Sequence, residues 1–525
     1  MSRSRVLYHM VRADFLERTR RYSFLLTLAG ALYLAYGVAT EKIWLVVGNG
    51  YRGVYNSAWI GMLMAICCST FLSLVGFYIV KNSVLRDTAT RVGRILAATP
   101  MRKEFYTFAK TLSNFAVLGC MVLVLMLAAL VMQLLHSEGS SISLWKLWSP
   151  FILIALPAMF LTAALALLFE TLPVLRGGVG NVFYFFFWTA GLALGVGAQL
   201  DDPTGLQLLY RSTRDALAAT DPGNLDNFHF SLSIGGERAV RTFVWNGIDW
   251  TGHIVLVRAM WVVAAAALAL LASVFFHRFD PAREWFRRRS AVPNAPTTVP
   301  EEQAAPAAAV GALSAAHLTA PPRNAGRTRL TQLVFAEIRL MLKGQRWWWY
   351  VVAAGLLIAE LVSPTAEIRS GVLLFAWIWP VLIWSQMGCR EARCATQSLI
   401  FSSERALARQ LPALWTAGVT LALTTGGGVG IRLLLSADWR GLYTWIAAAV
   451  FIPTLALALG VCSGTSKPFE ALYTLWWYMG PANRTPGLDF IGLTPASSSP
   501  AAYALAAAVL LGVAYFGRRA RLAYV

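Results

Sequence analysis

Arg86-Asp87-Thr88-Ala89-Thr90-Arg91-Val92-Gly93-Arg94-Ile95-Leu96-Ala97-Ala98-Thr99-Pro100 is a polar elbow between two apolar runs, about 57–80 and about 111–135. Late in the chain the same event recurs in matching register: Arg390-Glu391-Ala392-Arg393-Cys394-Ala395-Thr396-Gln397-Ser398-Leu399-Ile400-Phe401-Ser402-Ser403-Glu404. Each copy opens on a basic residue followed by an acid and carries an aliphatic pair at the same spacing, Ile95-Leu96 or Leu399-Ile400. Each then closes on a small hydroxyl turn and runs on toward a further cation, Lys110 in one and Arg409 in the other. Before the first span of each half stands an amphipathic segment, Arg12-Ala13-Asp14-Phe15 and Phe335-Ala336-Glu337-Ile338. A chain that repeats entry helix, span, polar elbow and span reads as two membrane halves fused head to tail.

Composition agrees. With 57% hydrophobic and 14% charged residues, and many apolar runs near twenty residues, a soluble domain is excluded and an all-α polytopic membrane protein is expected. The formal charge of +19 alternates with the spans instead of covering one face, so it reads as topology and not as a nucleic-acid footprint.

Apolar segments fall at about 23–39, 57–80, 111–135, 149–169, 179–200 and 253–276, and again at about 347–362, 371–388, 411–435, 441–462, 468–480 and 499–516. Six and six predict about twelve transmembrane helices in two halves, 1–289 and 328–525, joined by 290–327. Cations concentrate at the N-terminus (Arg3, Arg5, Arg12), in the first elbow and at the end (Arg518, Arg519, Arg521), whereas 201–252 holds four Arg against seven acids. Both termini are therefore expected on the cytoplasmic side of an inner (plasma) membrane. The first span lacks a small-residue cleavage site and is expected to stay as an anchor.

The joining stretch, Ala295-Pro296-Thr297-Thr298-Val299-Pro300 through Pro321-Pro322, is too rich in Ala and Pro to build a core and reads as a disordered cytosolic tether. Arg283 and Arg287-Arg288-Arg289 before it read as an anchor on anionic lipid. The six cysteines fall in spans or on the cytosolic side, which argues against disulfides, and Cys389 with Cys394 fits no zinc spacing.

Motifs for membrane enzymes are missing. There is no HExxH or DDxxD, the six histidines are scattered, and Asp201-Asp202 only opens a loop. Ser463-Gly464-Thr465-Ser466-Lys467 lacks the order of a phosphate loop, and Gly426-Gly427-Gly428 with Gly430 reads as close packing or a bend inside a span. No catalytic, cofactor-binding or metal-ligating residue is expected in this chain. Glu360, Glu170 and Glu470 are the ionisable residues at span ends, and snorkelling to the interface accounts for them. The runs Trp347-Trp348-Trp349-Tyr350 and Trp476-Trp477-Tyr478 read as interface belts.

The elbow Arg86-Asp87 through Ile95-Leu96-Ala97-Ala98-Thr99-Pro100 to Lys110 resembles the acid-Gly-Leu-Thr-Pro stretch of ABC exporter permeases of the type-2 (type V exporter) superfamily. The resemblance covers the whole chain in architecture and rests on a short motif. It implies, for each half, an amphipathic elbow helix, six spans, a cytosolic coupling helix and an outer re-entrant hairpin, here within 201–252 and 481–499. It implies coupling contacts to ATPase subunits through Arg86, Asp87, Arg91, Thr99 and Pro100 in the first half. In the second half Arg390, Glu391, Arg393, Ser402, Ser403 and Glu404 would serve, without the proline. The elbow helices would use Arg12, Asp14 and Phe15, and Phe335, Glu337 and Ile338. No ATPase motif occurs in the chain, so ATP and Mg are expected on two copies of a separate subunit. The implied activity is outward movement of a hydrophobic or amphipathic cargo (drug, antibiotic or lipid) across a bacterial inner membrane, with membrane lipid as the other partner. An ion-coupled carrier, or a permease that drives an extracytoplasmic partner, are the alternatives.

Overall fold

Long apolar runs in a membrane leave backbone amides and carbonyls no partner but each other, and the chain answers with helices. The structure, a computed structural model, describes residues 3–40, 43–48, 50–136, 138, 142–197, 201–221, 228, 230–234, 241–277, 279, 330–343, 345, 347–363, 371–394, 396–402, 406–485, 487–492 and 499–522. Two compact units emerge, Met1–Glu284 and Trp285–Val525. The expected tether 290–327 lies outside the described residues.

Unit 1 begins with α1 (Arg3–Thr19) and α2 (Tyr22–Ala39), then strands β1 (Ile43–Val47) and β2 (Tyr51–Gly53). The buried helix α3 (Ser57–Val80) starts at Asn56, whose side chain accepts a hydrogen bond from the Trp59 amide at 2.9 Å. The elbow forms two short helices, α4 (Ser83–Ala89) and α5 (Val92–Ala98), before the long α6 (Lys103–His136). Next come α7 (Leu144–Pro150), a π-turn over Phe151–Ala155 and α8 (Leu156–Thr171). Pro150 and Pro157 flank that turn, and their missing amide donors loosen the ladder into the wider geometry. The unit closes with α9 (Gly178–Gly197), α10 (Leu206–Thr220), β3 (Phe230–Ile234), β4 (Arg241–Phe243) and α11 (Gly252–Phe275). Its core centres on α3, where Phe77 is fully buried and stacks on Tyr184 of α9 with ring centroids 3.5 Å apart.

A four-stranded sheet, ordered β3-β1-β2-β4, is a departure from the all-α expectation. β1 pairs antiparallel with β2 and β3, and β2 pairs parallel with β4. Trp59, Phe243 and Trp245 fasten the sheet to α3 through edge-on contacts, both at 5.8 Å. The segment 201–252 therefore builds an amphipathic helix and two strands among its described residues, not the expected re-entrant hairpin. Asp202 does more than open a loop: its carboxylate accepts the amides of Leu206 at 3.1 Å and Gln207 at 2.9 Å and so caps α10.

Unit 2 contains α12 (Leu330–Leu342), α13 (Trp347–Val362), α14 (Leu373–Ile378), α15 (Val381–Trp384), α16 (Arg390–Arg393), α17 (Gln397–Phe401) and α18 (Ala406–Thr425). They are followed by α19 (Gly427–Leu435), α20 (Trp439–Ser463), α21 (Lys467–Trp477), a π-turn over Tyr478–Ala482 and α22 (Pro500–Leu522). Gly388 sits at φ +72°, and a side chain there would meet the Leu457 carbonyl at 2.8 Å, so the turn into α16 packs directly on α20.

Among the described residues, six helical stretches are long and apolar enough to cross a bilayer: Ser57–Ala89, Lys103–Leu135, Leu144–Thr171, Gly252–Phe275, Trp439–Ser463 and Pro500–Leu522. A seventh span arises if α18 and α19, bent by 66°, count as one. The chain is thus a helical, multi-pass membrane protein. The other segments expected as spans form shorter apolar helices, Ser23–Gly37, Gly178–Leu194, Trp347–Val362 and the interrupted Leu373–Trp384, together with α21. Hydropathy sees apolar length and is blind to the break at Pro380 or at Gly426.

Candidate functional site

The elbow of unit 1 is built from charge that four helices bury together. Asp14 of α1 meets Arg86 at 3.2 Å and Lys110 at 2.7 Å. Lys110, two turns inside α6, also reaches Asp87 at 2.8 Å, and the Tyr106 hydroxyl donates to the same Asp87 oxygen at 2.7 Å. Arg86 completes the lock through Glu17 at 2.6 Å. Only 4% of the Lys110 side chain and 8% of Asp87 remain exposed, so these charges have lost most of their water and stand on one another. Glu170, from the end of α8, accepts the Ser83 amide at 2.8 Å and the Val84 amide at 2.7 Å, and its carboxylate caps α4. Arg18 is buried against Asn114 of α6, and burial, then the neighbouring Arg86 cation, brings its guanidinium down to about 10.

Unit 2 repeats the plan with different partners. Glu337 of α12 meets Arg390 at 3.2 Å, as Asp14 meets Arg86. Glu391 pairs at 2.9 Å with Arg518, from the far end of the sequence on α22. Arg518 also donates to Gln410 at 2.6 Å and lies 5.0 Å over the Phe401 ring. Burial holds the Glu337 carboxyl above its ordinary value, against the pull of Arg390.

The expected coupling residues divide in two. Arg86, Asp87, Arg390 and Glu391 face inward and lock the elbow to its neighbours, so they do not form an outward contact surface. Arg91, Arg393, Pro100 and Ser402 are exposed, and Thr99 is half-buried. The hydroxyls of Thr99 and Ser402 donate to the carbonyls three residues back, Leu96 at 2.7 Å and Leu399 at 2.9 Å, and finish α5 and α17 alike. Ser403 and Glu404 lie outside the described residues. In the elbow helices Asp14 and Glu337 make the ionic contacts, Phe15 and Ile338 are half-buried, Arg12 is exposed, and Phe335 is 68% exposed. On the outer surface of each elbow one aliphatic side chain stands out at the same register: Ile95 is 69% exposed and Leu399 75%.

Sequence reasoning missed Glu17, Tyr106, Gln410 and Arg518 as partners, and took Lys110 only as the end of the motif. A lysine at the very start of an apolar run and an arginine at the end of the last span were the available signals.

The carboxylates at span ends do not snorkel. Glu170, Glu360 and Glu470 are 4%, 0% and 2% exposed. Glu360, in the last turn of α13, turns onto the amino end of α19, where Oε2 accepts the Gly428 amide at 3.0 Å and the Val429 amide at 3.4 Å. At the break the Ala422 and Gly426 carbonyls, which still accept the amides of Gly426 and Gly430, each take a further indole donor, Trp377 to Ala422 at 3.3 Å and Trp445 to Gly426 at 3.1 Å. A side chain on Gly428 would strike Glu360 Cβ at 2.6 Å, so the glycine run serves both the bend and the close approach.

Ser463 to Lys467 is a helix ending: Gly464 is left-handed at φ +69° and its amide donates back to Gly460. All six cysteines are free. Among the described residues, no group of three or more His, Cys, Asp or Glu side chains could hold a metal ion. Compared with protein families, curated proteins and solved structures, the chain matches none.

Proposed function

We propose that this chain is the membrane-spanning permease of an ATP-driven exporter of the ABC type-2 class, and that separate ATPase subunits dock on the two elbows. The observation that carries this reading is the pairing of lock and surface. In each unit one short elbow helix, α4 or α16, is held by buried ion pairs, and the short helix that follows it, α5 or α17, exposes an aliphatic side chain, Ile95 or Leu399, at the same register. A surface that transmits force must be stiff, and buried bidentate or shared ion pairs fix orientation better than exposed ones. Repetition of the exposed residue favours a partner with two equivalent copies. The lipid-like setting of the spans supports a hydrophobic or amphipathic cargo.

The test is purification from the native membrane with the stoichiometry of whatever stays bound. Two ATPase subunits per chain are expected, and Ile95→Asp with Leu399→Asp should release them while the chain remains folded. An intact chain that captures no ATPase overturns the reading. It would favour an ion-coupled carrier, the alternative that the buried Glu360 carboxylate supports.

A further inference from the structure

Glu360 has a setting that exporter chemistry does not call for. It is fully buried. Oε2 is engaged by the first amides of α19, whereas Oε1 is buried with no hydrogen-bond partner. No cation pairs with it among the described residues. Of the elements packed on α13, α14 brings no titratable group, and α18 brings Arg409, which lies near the opposite end of that helix, roughly 24 Å away at 1.5 Å per residue. α19 brings Arg432, which turns instead onto the carbonyls that end α13: Ser363, and Glu360 and Leu361 at 3.4 Å each. α13 itself adds only Tyr350, in its first turn.

A lone carboxylate without water or countercharge is costly, and two amides with a helix amino end offset only part of that cost. The closed surround excludes anything as large as water, which leaves the proton as the occupant. We propose that Glu360 is a proton-binding carboxyl whose protonation is tied to the bend between α18 and α19: neutral while the bend is closed over it, ionised when the amino end of α19 opens to water. On opening, the Oε1–H bond breaks, the proton passes to a water molecule, and the charge left on the carboxylate is received by the Gly428 and Val429 amides. Closure returns the proton. Linkage follows, because whatever opens the bend releases a proton, and alkaline conditions favour the open form.

The experiment is infrared spectroscopy of the full chain in lipid vesicles, wild type against Glu360→Gln, over a pH series and in heavy water. The expected result is a protonated-carboxyl stretch at neutral pH that shifts in heavy water, disappears reversibly at alkaline pH and is missing from Glu360→Gln. An identical carboxyl region in the two proteins overturns the proposal. If Glu360→Gln does not insert, Glu360→Asp takes its place, which keeps the carboxyl and changes its stretching frequency. A titrating carboxyl band that moves with this substitution supports the assignment, and a band that stays where it is overturns it. Neither readout involves an ATPase or a cargo, so both are independent of the exporter reading.

Discussion

The two elbows solve one electrostatic problem in two ways. In both, the acid after the leading arginine is buried and needs a cation. Unit 1 takes it from Lys110 on the next helix, while unit 2 takes it from Arg518 on the last one. At the register of Tyr106 and Lys110, unit 2 has Gln410 and Leu414, and the aromatic stack of Tyr106 on Phe276 gives way to the Arg518–Gln410 hydrogen bond. What repeats is the neutralised acid, and what varies is the helix bound to it. The first elbow is thereby tied to the helix that follows it, and the second to the end of its unit.

The strongest test of that comparison is Lys110→Met, which strands Asp87 and removes one of the two cations on Asp14. Leaving a buried charge unpaired costs about 3–5 kcal/mol, and a drop of that order is expected in thermal unfolding of the lipid-reconstituted chain. Arg518→Met should cost slightly less, about 3 kcal/mol, because Gln410 remains beside Glu391. Adding Leu414→Lys transfers the unit 1 solution to unit 2 and should recover about half of that loss. If Leu414→Lys deepens the loss, the two elbows are not built on one plan. Glu170→Gln keeps the shape of the α4 cap but removes its charge, and about 1–2 kcal/mol is expected from unfolding measurements.

The smallest effect separates the units by pH. Burial raises the Glu337 carboxyl above its unfolded value, so the folded state binds this proton more tightly. Its contribution is then fully favourable below the ordinary glutamate range and is lost as pH rises through the raised value. Glu337→Gln should flatten that part of the stability profile measured on the full chain. An unchanged slope would locate the titration elsewhere.

Much of this was legible in the chain. The repeated elbows and the amphipathic segments that carry Asp14 and Glu337 were read from register and charge, but that these acids meet Arg86 and Arg390 was not, since the pairs join residues 72 and 53 positions apart. Their roles were harder to read: a sequence shows that Asp87 and Glu391 are polar, but not that they face inward. Arg518 was legible as a cation at the end of the last span, but tertiary folding alone makes it the partner of Glu391. The strand Ile43–Val47 reads Ile-Trp-Leu-Val-Val, an apolar run too short to be a span, and its partner Phe230–Ile234 is brought to it by tertiary folding. Glu360 went astray for a related reason. A carboxylate near a span end suggests the water interface, unless a broken helix offers its amides at the same depth.

The sheet of unit 1 has a mechanical meaning. β1 and β2 lie in the connection between α2 and α3, and β3 and β4 lie just before α11, so interstrand bonds clamp one end of three helices together. Those ends cannot part without unzipping the ladder, which makes the sheet a fulcrum. With α11 at 24 residues, roughly 36 Å by helical rise, a tilt of about 10° at the clamp displaces the far end by about 6 Å. Any swing of these three helices must therefore be greatest at the end where the elbow is locked.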